Sequence, residues 1–82
     1  LINKVMQLEI ITPEENIYQG EVEMINLPGS DGFFGLLDGH APLVSTLKAG
    51  DIKITENGSE KTFTVKGGVV EVNNNKVIVL AE

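Results

Sequence analysis

From Lys4 to Ile11 the side chains alternate, with Met6, Leu8 and Ile10 on one face and Gln7 and Glu9 on the other. A period of two predicts a half-buried strand. Pro13 stops it, and Ile17-Tyr18 opens a short second strand that ends at Gly20. Across Glu21–Leu27 the apolar phase slips: Val22 and Met24 share one face, Ile25 and Leu27 the other. A bulge, or a strand passing from one sheet to another, produces such a slip.

The second half of the chain carries two hairpin signals. Ile52 and Ile54 alternate with polar neighbours, as do Phe63 and Val65, and Asn57-Gly58 lies between the two runs. A type I′ turn needs positive φ at both central residues, which Asn-Gly supplies. A two-residue turn there sets Ile54 against Lys61 and Ile52 against Phe63, leaving the apolar residues on one face. Asn74-Asn75 as a turn likewise sets Val72 against Val77 and Val70 against Val79. Val77-Ile78-Val79-Leu80 is apolar on both faces, which predicts a central strand covered on each side. No ten-residue stretch shows helical spacing, and nine glycines punctuate the chain. The pattern predicts one all-β domain over residues 1–82, a two-sheet sandwich of short strands.

Composition narrows what such a domain does. There is no cysteine, which excludes disulfides, thiolate metal sites and thiol catalysis. Twelve acidic residues against six lysines, with no arginine, give a net charge of −6. That balance argues against nucleic acid and against adsorption to anionic lipid. No apolar run approaches the ~20 residues of a spanning helix, so no direct membrane insertion is expected.

The candidate chemistry is sparse. Gly29, Gly32 and Gly35 form a G-x-x-G-x-x-G string, but strands flank it and no lysine lies between Lys4 and Lys48. A phosphate cradle needs a helix N-terminus and usually a lysine. His40 is the only histidine, and neither Ser30 nor Ser45 stands at a nucleophile-elbow spacing from it. It reads as a loop residue that holds its turn or contacts a partner. Asp31, Asp38 and Asp51 lack the ligand spacing of a calcium loop. Glu14-Glu15 and Glu21/Glu23 read as a solvated face. No cofactor or metal is expected. Phe33-Phe34 stands out, because adjacent residues of an extended segment point to opposite faces. Either one ring is exposed and awaits a partner, or loop curvature buries both.

The string Leu27-Pro-Gly-Ser-Asp-Gly-Phe-Phe-Gly-Leu-Leu-Asp-Gly-His-Ala-Pro-Leu43 resembles the characteristic loop of F-type ATP synthase epsilon subunits. Further matches follow in order: Leu8-Glu-Ile-Ile-Thr-Pro13, Gly20-Glu-Val-Glu-Met-Ile25, Lys48-Ala-Gly-Asp-Ile52, Val65-Lys-Gly-Gly-Val-Val-Glu-Val72 and Val77-Ile-Val-Leu-Ala-Glu82. The resemblance implies that family's N-terminal β-sandwich of roughly ten strands. It implies a non-catalytic rotor subunit that joins the gamma subunit to the membrane c-ring, peripheral on the cytoplasmic face of the bacterial inner membrane. By the same resemblance His40, Ala41, Pro42 and Leu43 face gamma, while Asp31, Phe33 and Phe34 approach the c-ring.

Two departures from the family pattern bear on this. Many members carry a carboxylate where Phe33 stands, so an ionic contact there shifts to Asp31 or is lost. The chain reaches Ala81-Glu82 where longer members continue into a helical hairpin with inhibitory and, in some, ATP-binding roles; neither role is expected of these residues. The competing reading is a free-standing β-sandwich that binds an extracellular polymer, for which the chain lacks an aromatic platform: it has four aromatic residues and no tryptophan.

Overall fold

The computed structural model describes residues 4–82; residues 1–3 of the expected domain lie outside the described residues. Among the described residues there are nine strands, against the roughly ten expected, and no helix. They are β1 (Met6–Ile11), β2 (Asn16–Val22), β3 (Met24–Gly29), β4 (Gly32–Leu36), β5 (Leu43–Leu47), β6 (Gly50–Glu56), β7 (Ser59–Val65), β8 (Gly68–Asn73) and β9 (Lys76–Ala81). Their spatial order is β2-β1-β9-β8-β5-β3-β6-β7, with β4 on the other side of β3. The link between β5 and β3 is a single residue pair, Gly29 with Leu47. The sheet therefore folds over at that point into a two-layer sandwich: β2-β1-β9-β8-β5 faces β4-β3-β6-β7.

Alternation fills the space between the layers. Met6, Leu8 and Ile10 of β1, Val70 and Val72 of β8, and Val77 and Val79 of β9 are buried from one side. Ile25 and Leu27 of β3, Leu36 of β4, and Ile52 and Ile54 of β6 meet them from the other. Both hairpins take the expected register. Ile52 pairs with Phe63 and Ile54 with Lys61 around Asn57-Gly58; Val70 pairs with Val79 and Val72 with Val77 around Asn74-Asn75. All four turn residues have positive φ, between 50° and 79°.

The phase slip of Glu21–Leu27 is a change of sheet. Val22 ends β2 pointing into the core, Glu23 is the extra residue, and Ile25 and Leu27 resume the inward face on β3. A second change of layer falls between β7 and β8, where Gly68 has a φ of 149° and a Cβ would press on the Leu80 carbonyl.

One expectation needs correction. Strand β9 is central in its sheet, between β1 and β8, but it is covered on one side only. Val77 and Val79 are buried, whereas Ile78 is half-buried and Leu80 is 55% exposed. A sandwich of two layers has no third layer to lie on the outer face of either sheet.

Candidate partner-binding surfaces

Strands β4 and β5 run between two loops that carry the candidate residues. At one end is the β3–β4 hairpin, where Gly29 pairs with Gly32 and Ser30-Asp31 form the two-residue turn. Phe33 pairs with Pro28 and Phe34 with Leu27, so the two rings take opposite faces of β4. Phe34 packs against the core, while Phe33 is 70% exposed. Loop curvature therefore does not bury both rings: Phe33 is the exposed one. Lys48 Nζ lies 5.9 Å from the Phe33 ring centroid, within range of a cation–π contact. Its amide donates to Pro28 O at 2.9 Å, which fixes the lysine beside the hairpin. Asp31 is exposed at the tip. Ser30 Oγ and Thr46 Oγ1, 2.7 Å apart, and the 3.0 Å bond from Ser30 N to Thr46 O tie the tip to β5.

At the other end, residues 37–42 join β4 to β5. His40 N donates to Leu37 O at 3.3 Å across a turn in which Gly39 has a φ of 80°. The His40 imidazole donates through Nδ1–H to Ala41 O at 2.7 Å, which directs Nε2 away from the main chain. His40, Ala41 and Pro42 are exposed. Leu43 differs: it is half-buried and packs against the core, so it serves the fold as well as any contact. The five residues of β4 separate the two ends by roughly 17 Å at ~3.3 Å per residue. Sequence joins Phe33 and His40 in one motif; the strand holds them apart.

Beside the His40 loop lies a third surface that sequence did not single out. Val44, 67% exposed, stands next to Glu71, and Glu71 next to Ile78 on the outer face of the larger sheet. One row along, Val69, Leu80 and Ile11 are neighbours, with Val69 38% and Leu80 55% exposed. Exposed apolar residues clustered on an outer face are one mark of an interaction site, although here Glu71 separates Val44 from Ile78. The signal of this surface in the sequence is the apolar character of both faces of β9.

No pair of groups is poised for chemistry among the described residues. His40 spends its Nδ1 proton on a neighbouring carbonyl, Ser30 Oγ pairs with Thr46 Oγ1, and Ser45 Oγ donates to Thr46 O at 3.3 Å. A concavity of about 830 Å³ is lined by Lys4, Glu21, Glu23, Asp38 and Glu56 among others. Two of those carboxylates are committed to the fold. Glu23 accepts from Asn57 N at 3.0 Å and Gly58 N at 3.1 Å. Glu56 accepts from Tyr18 Oη at 2.7 Å and pairs with Lys61 Nζ at 2.8 Å. Glu23 is thus half-buried and turn-binding, not merely part of a solvated face.

The fold defines an all-β sandwich domain: two layers with a filled core, a loop at each end of β4 and exposed apolar residues on one outer face. The chain belongs to the family of ATP synthase delta/epsilon chain β-sandwich domains, whose model matches residues 5–82. Among named relatives, the ATP synthase epsilon chain of Leptospira interrogans serovar copenhageni is 42% identical over 77 residues. That match covers 94% of this chain and 61% of the relative, so the chain spans under two thirds of that protein's length. The ATP synthase epsilon chain of Chlorobium limicola is 41% identical over 81 residues, covering 98% of this chain and 92% of the relative. A chain in the cryo-EM structure of the Euglena gracilis mitochondrial ATP synthase, which comprises OSCP, F1 and the c-ring, superposes with a TM-score of 0.89 at 26% identity. It covers 99% of this chain, which spans 52% of that one.

Proposed function

We propose that this chain is a non-catalytic rotor subunit of an F-type ATP synthase, joining the gamma subunit to the c-ring. It transmits proton-driven ring rotation to gamma and thence to ATP synthesis. It is peripheral, on the cytoplasmic face of a bacterial inner membrane, and needs no cofactor. The observation that carries this reading is the separation of two exposed surfaces, the Asp31–Phe33 tip and the His40 loop, at opposite ends of β4. A coupling element needs two separated contacts on one stiff body, and antiparallel β4 and β5 run from one to the other.

In this reading His40, Ala41, Pro42 and Leu43 meet gamma, and the adjoining outer strip of Val44, Ile78 and Leu80 extends that contact. Asp31 and Phe33 meet the c-ring; Phe34 supports the tip from inside. The relatives' names and the bacterial sources of the two epsilon chains support the assignment of complex and compartment.

The test is titration of purified gamma with the chain and with the double variant His40→Ala, Val44→Lys, whose lysine stands opposite Glu71. Both residues are exposed, so the thermal midpoint changes little. Affinity falls by about tenfold or more, equivalent to ~1.4 kcal/mol. Unchanged affinity with an intact fold overturns the gamma assignment.

A further inference from the structure

Asn75 sits where three segments meet. It closes the β8–β9 turn with a φ of 59°. Its main-chain carbonyl accepts Gln7 N at 2.8 Å, joining the turn to the start of β1. Its side-chain Oδ1 accepts Gly39 N at 2.6 Å, joining the turn to the β4–β5 loop. Among the described residues this last bond is the one hydrogen bond that ties residues 37–42 to another part of the sandwich. The loop's other bonds, His40 N to Leu37 O and His40 Nδ1 to Ala41 O, are internal to it. With five exposed positions among residues 37–42, packing offers the loop little restraint.

We infer that Asn75 is a positioning residue for the His40 loop: its side chain holds Gly39, and through it the presentation of His40. Loop and turn together wall a concavity of about 390 Å³ lined by Gly39, His40, Pro42, Asn74 and Asn75. The Asn74-Asn75 turn is therefore part of the same surface as His40, though 35 positions away in sequence from Gly39 to Asn74. Asparagine suits both duties, since it tolerates left-handed backbone and carries a side-chain acceptor. The consequence for gamma rests on the proposed function; the positioning itself does not.

The chemistry offers a clean pair of variants in the full chain. Asn75→Gly keeps the positive φ and the main-chain carbonyl but removes the acceptor. Asn75→Asp keeps an acceptor in place. Amide hydrogen exchange reads Gly39 directly, and Gln7, bonded to the main chain of the same residue, is the internal control. In Asn75→Gly, Gly39 protection falls roughly three- to tenfold, the worth of one hydrogen bond, while Gln7 protection holds. Affinity for purified gamma falls over the same range. Asn75→Asp restores both.

Gly39 protection unchanged in Asn75→Gly overturns the inference. So does a loss at Gln7 as large as that at Gly39, which assigns Asn75 to the turn alone. Loss at Gly39 reversed by Asn75→Asp, with gamma affinity constant throughout, supports the positioning role and overturns the assignment of the loop to gamma.

Discussion

Glu23 holds the turn at Asn57 from across the sandwich corner: its Oε2 accepts Asn57 N at 3.0 Å and its Oε1 accepts Gly58 N at 3.1 Å. The same residue donates its own amide to Thr55 O at 2.8 Å. The extra residue that lets the chain change sheets thus also pins the far end of the β6–β7 hairpin. Hydrogen bonds to an ionised acceptor are stronger than neutral ones. Glu23→Ala is expected to lower stability by about 1–2 kcal/mol, and Glu23→Gln by roughly half as much. Urea unfolding checks both; equal stability of all three proteins overturns the clamp.

The seam between β2 and the β6–β7 hairpin makes stability depend on pH in two directions. Burial, then the hydrogen bond to Glu56 and its charge, push the Tyr18 phenol up to about 12. The unfolded value is about 10, so the folded state holds the proton more tightly. This contribution is complete below about pH 10 and is lost as pH rises toward 12. Tyr18 is only partly buried, so solvent screening reduces it to about 1 kcal/mol. Glu56 behaves oppositely. Hydrogen bonds from Lys61 first and Tyr18 second hold it below its ordinary value of 4.5. Its contribution is present above that value and disappears as pH falls through the folded one. Tyr18→Phe therefore loses stability at neutral pH and flattens the alkaline limb, measured as thermal midpoint against pH. A parallel alkaline decline in both proteins removes Tyr18 as the cause.

The crossing from β7 to β8 depends on Gly68. Its φ of 149° is one that L side chains rarely adopt, and a Cβ would press on Leu80 O and stand 3.0 Å from Ala81 Cα. Backbone, not a flexible side chain, is in the way. Gly68→Ala is expected to cost about 2–4 kcal/mol, combining strain with displaced β9. A loss below about 1 kcal/mol in denaturant unfolding shows that β9 shifts freely, against this account.

Local features of this fold were legible, and non-local ones were not. Both type I′ hairpins followed from Asn-Gly and Asn-Asn, since turn chemistry and register act over a few residues and agree with the apolar faces. The phase slip across Glu21–Leu27 was legible for the same reason, as either a bulge or a change of sheet, and the structure makes it the latter. The parallel pairing of β1 with β9 had no local sign; Leu8 meets Val77 only because the whole chain wraps around. Glu23's partner lies 34 residues away and Asn75's loop partner 36, so Glu23 reads from sequence as solvated face and Asn75 as a turn residue alone. His40 was legible as a loop residue and the Phe33-Phe34 pair as unusual, yet which ring is exposed and their separation from His40 by β4 required the strand itself.

The tip at Phe33 decides how the proposed ring contact is made. A net charge of −6 suggests attraction to a basic partner, which salt screens over about 10 Å at 0.1 M. Locally the picture differs, because a lysine, Lys48, places its Nζ 5.9 Å from the Phe33 ring centroid. An aromatic side chain that is 70% exposed offers about 1.5–3 kcal/mol on burial, more than a screened surface pair supplies. Phe33→Ala is therefore expected to weaken assembly with purified c-ring by about tenfold or more, and Asp31→Asn by less than about threefold. Raising salt from 50 to 500 mM changes the parent's affinity modestly and leaves the Phe33 effect intact. Binding that ignores Phe33→Ala but collapses with salt or with Asp31→Asn makes the contact ionic, and Lys48 then only shields the ring.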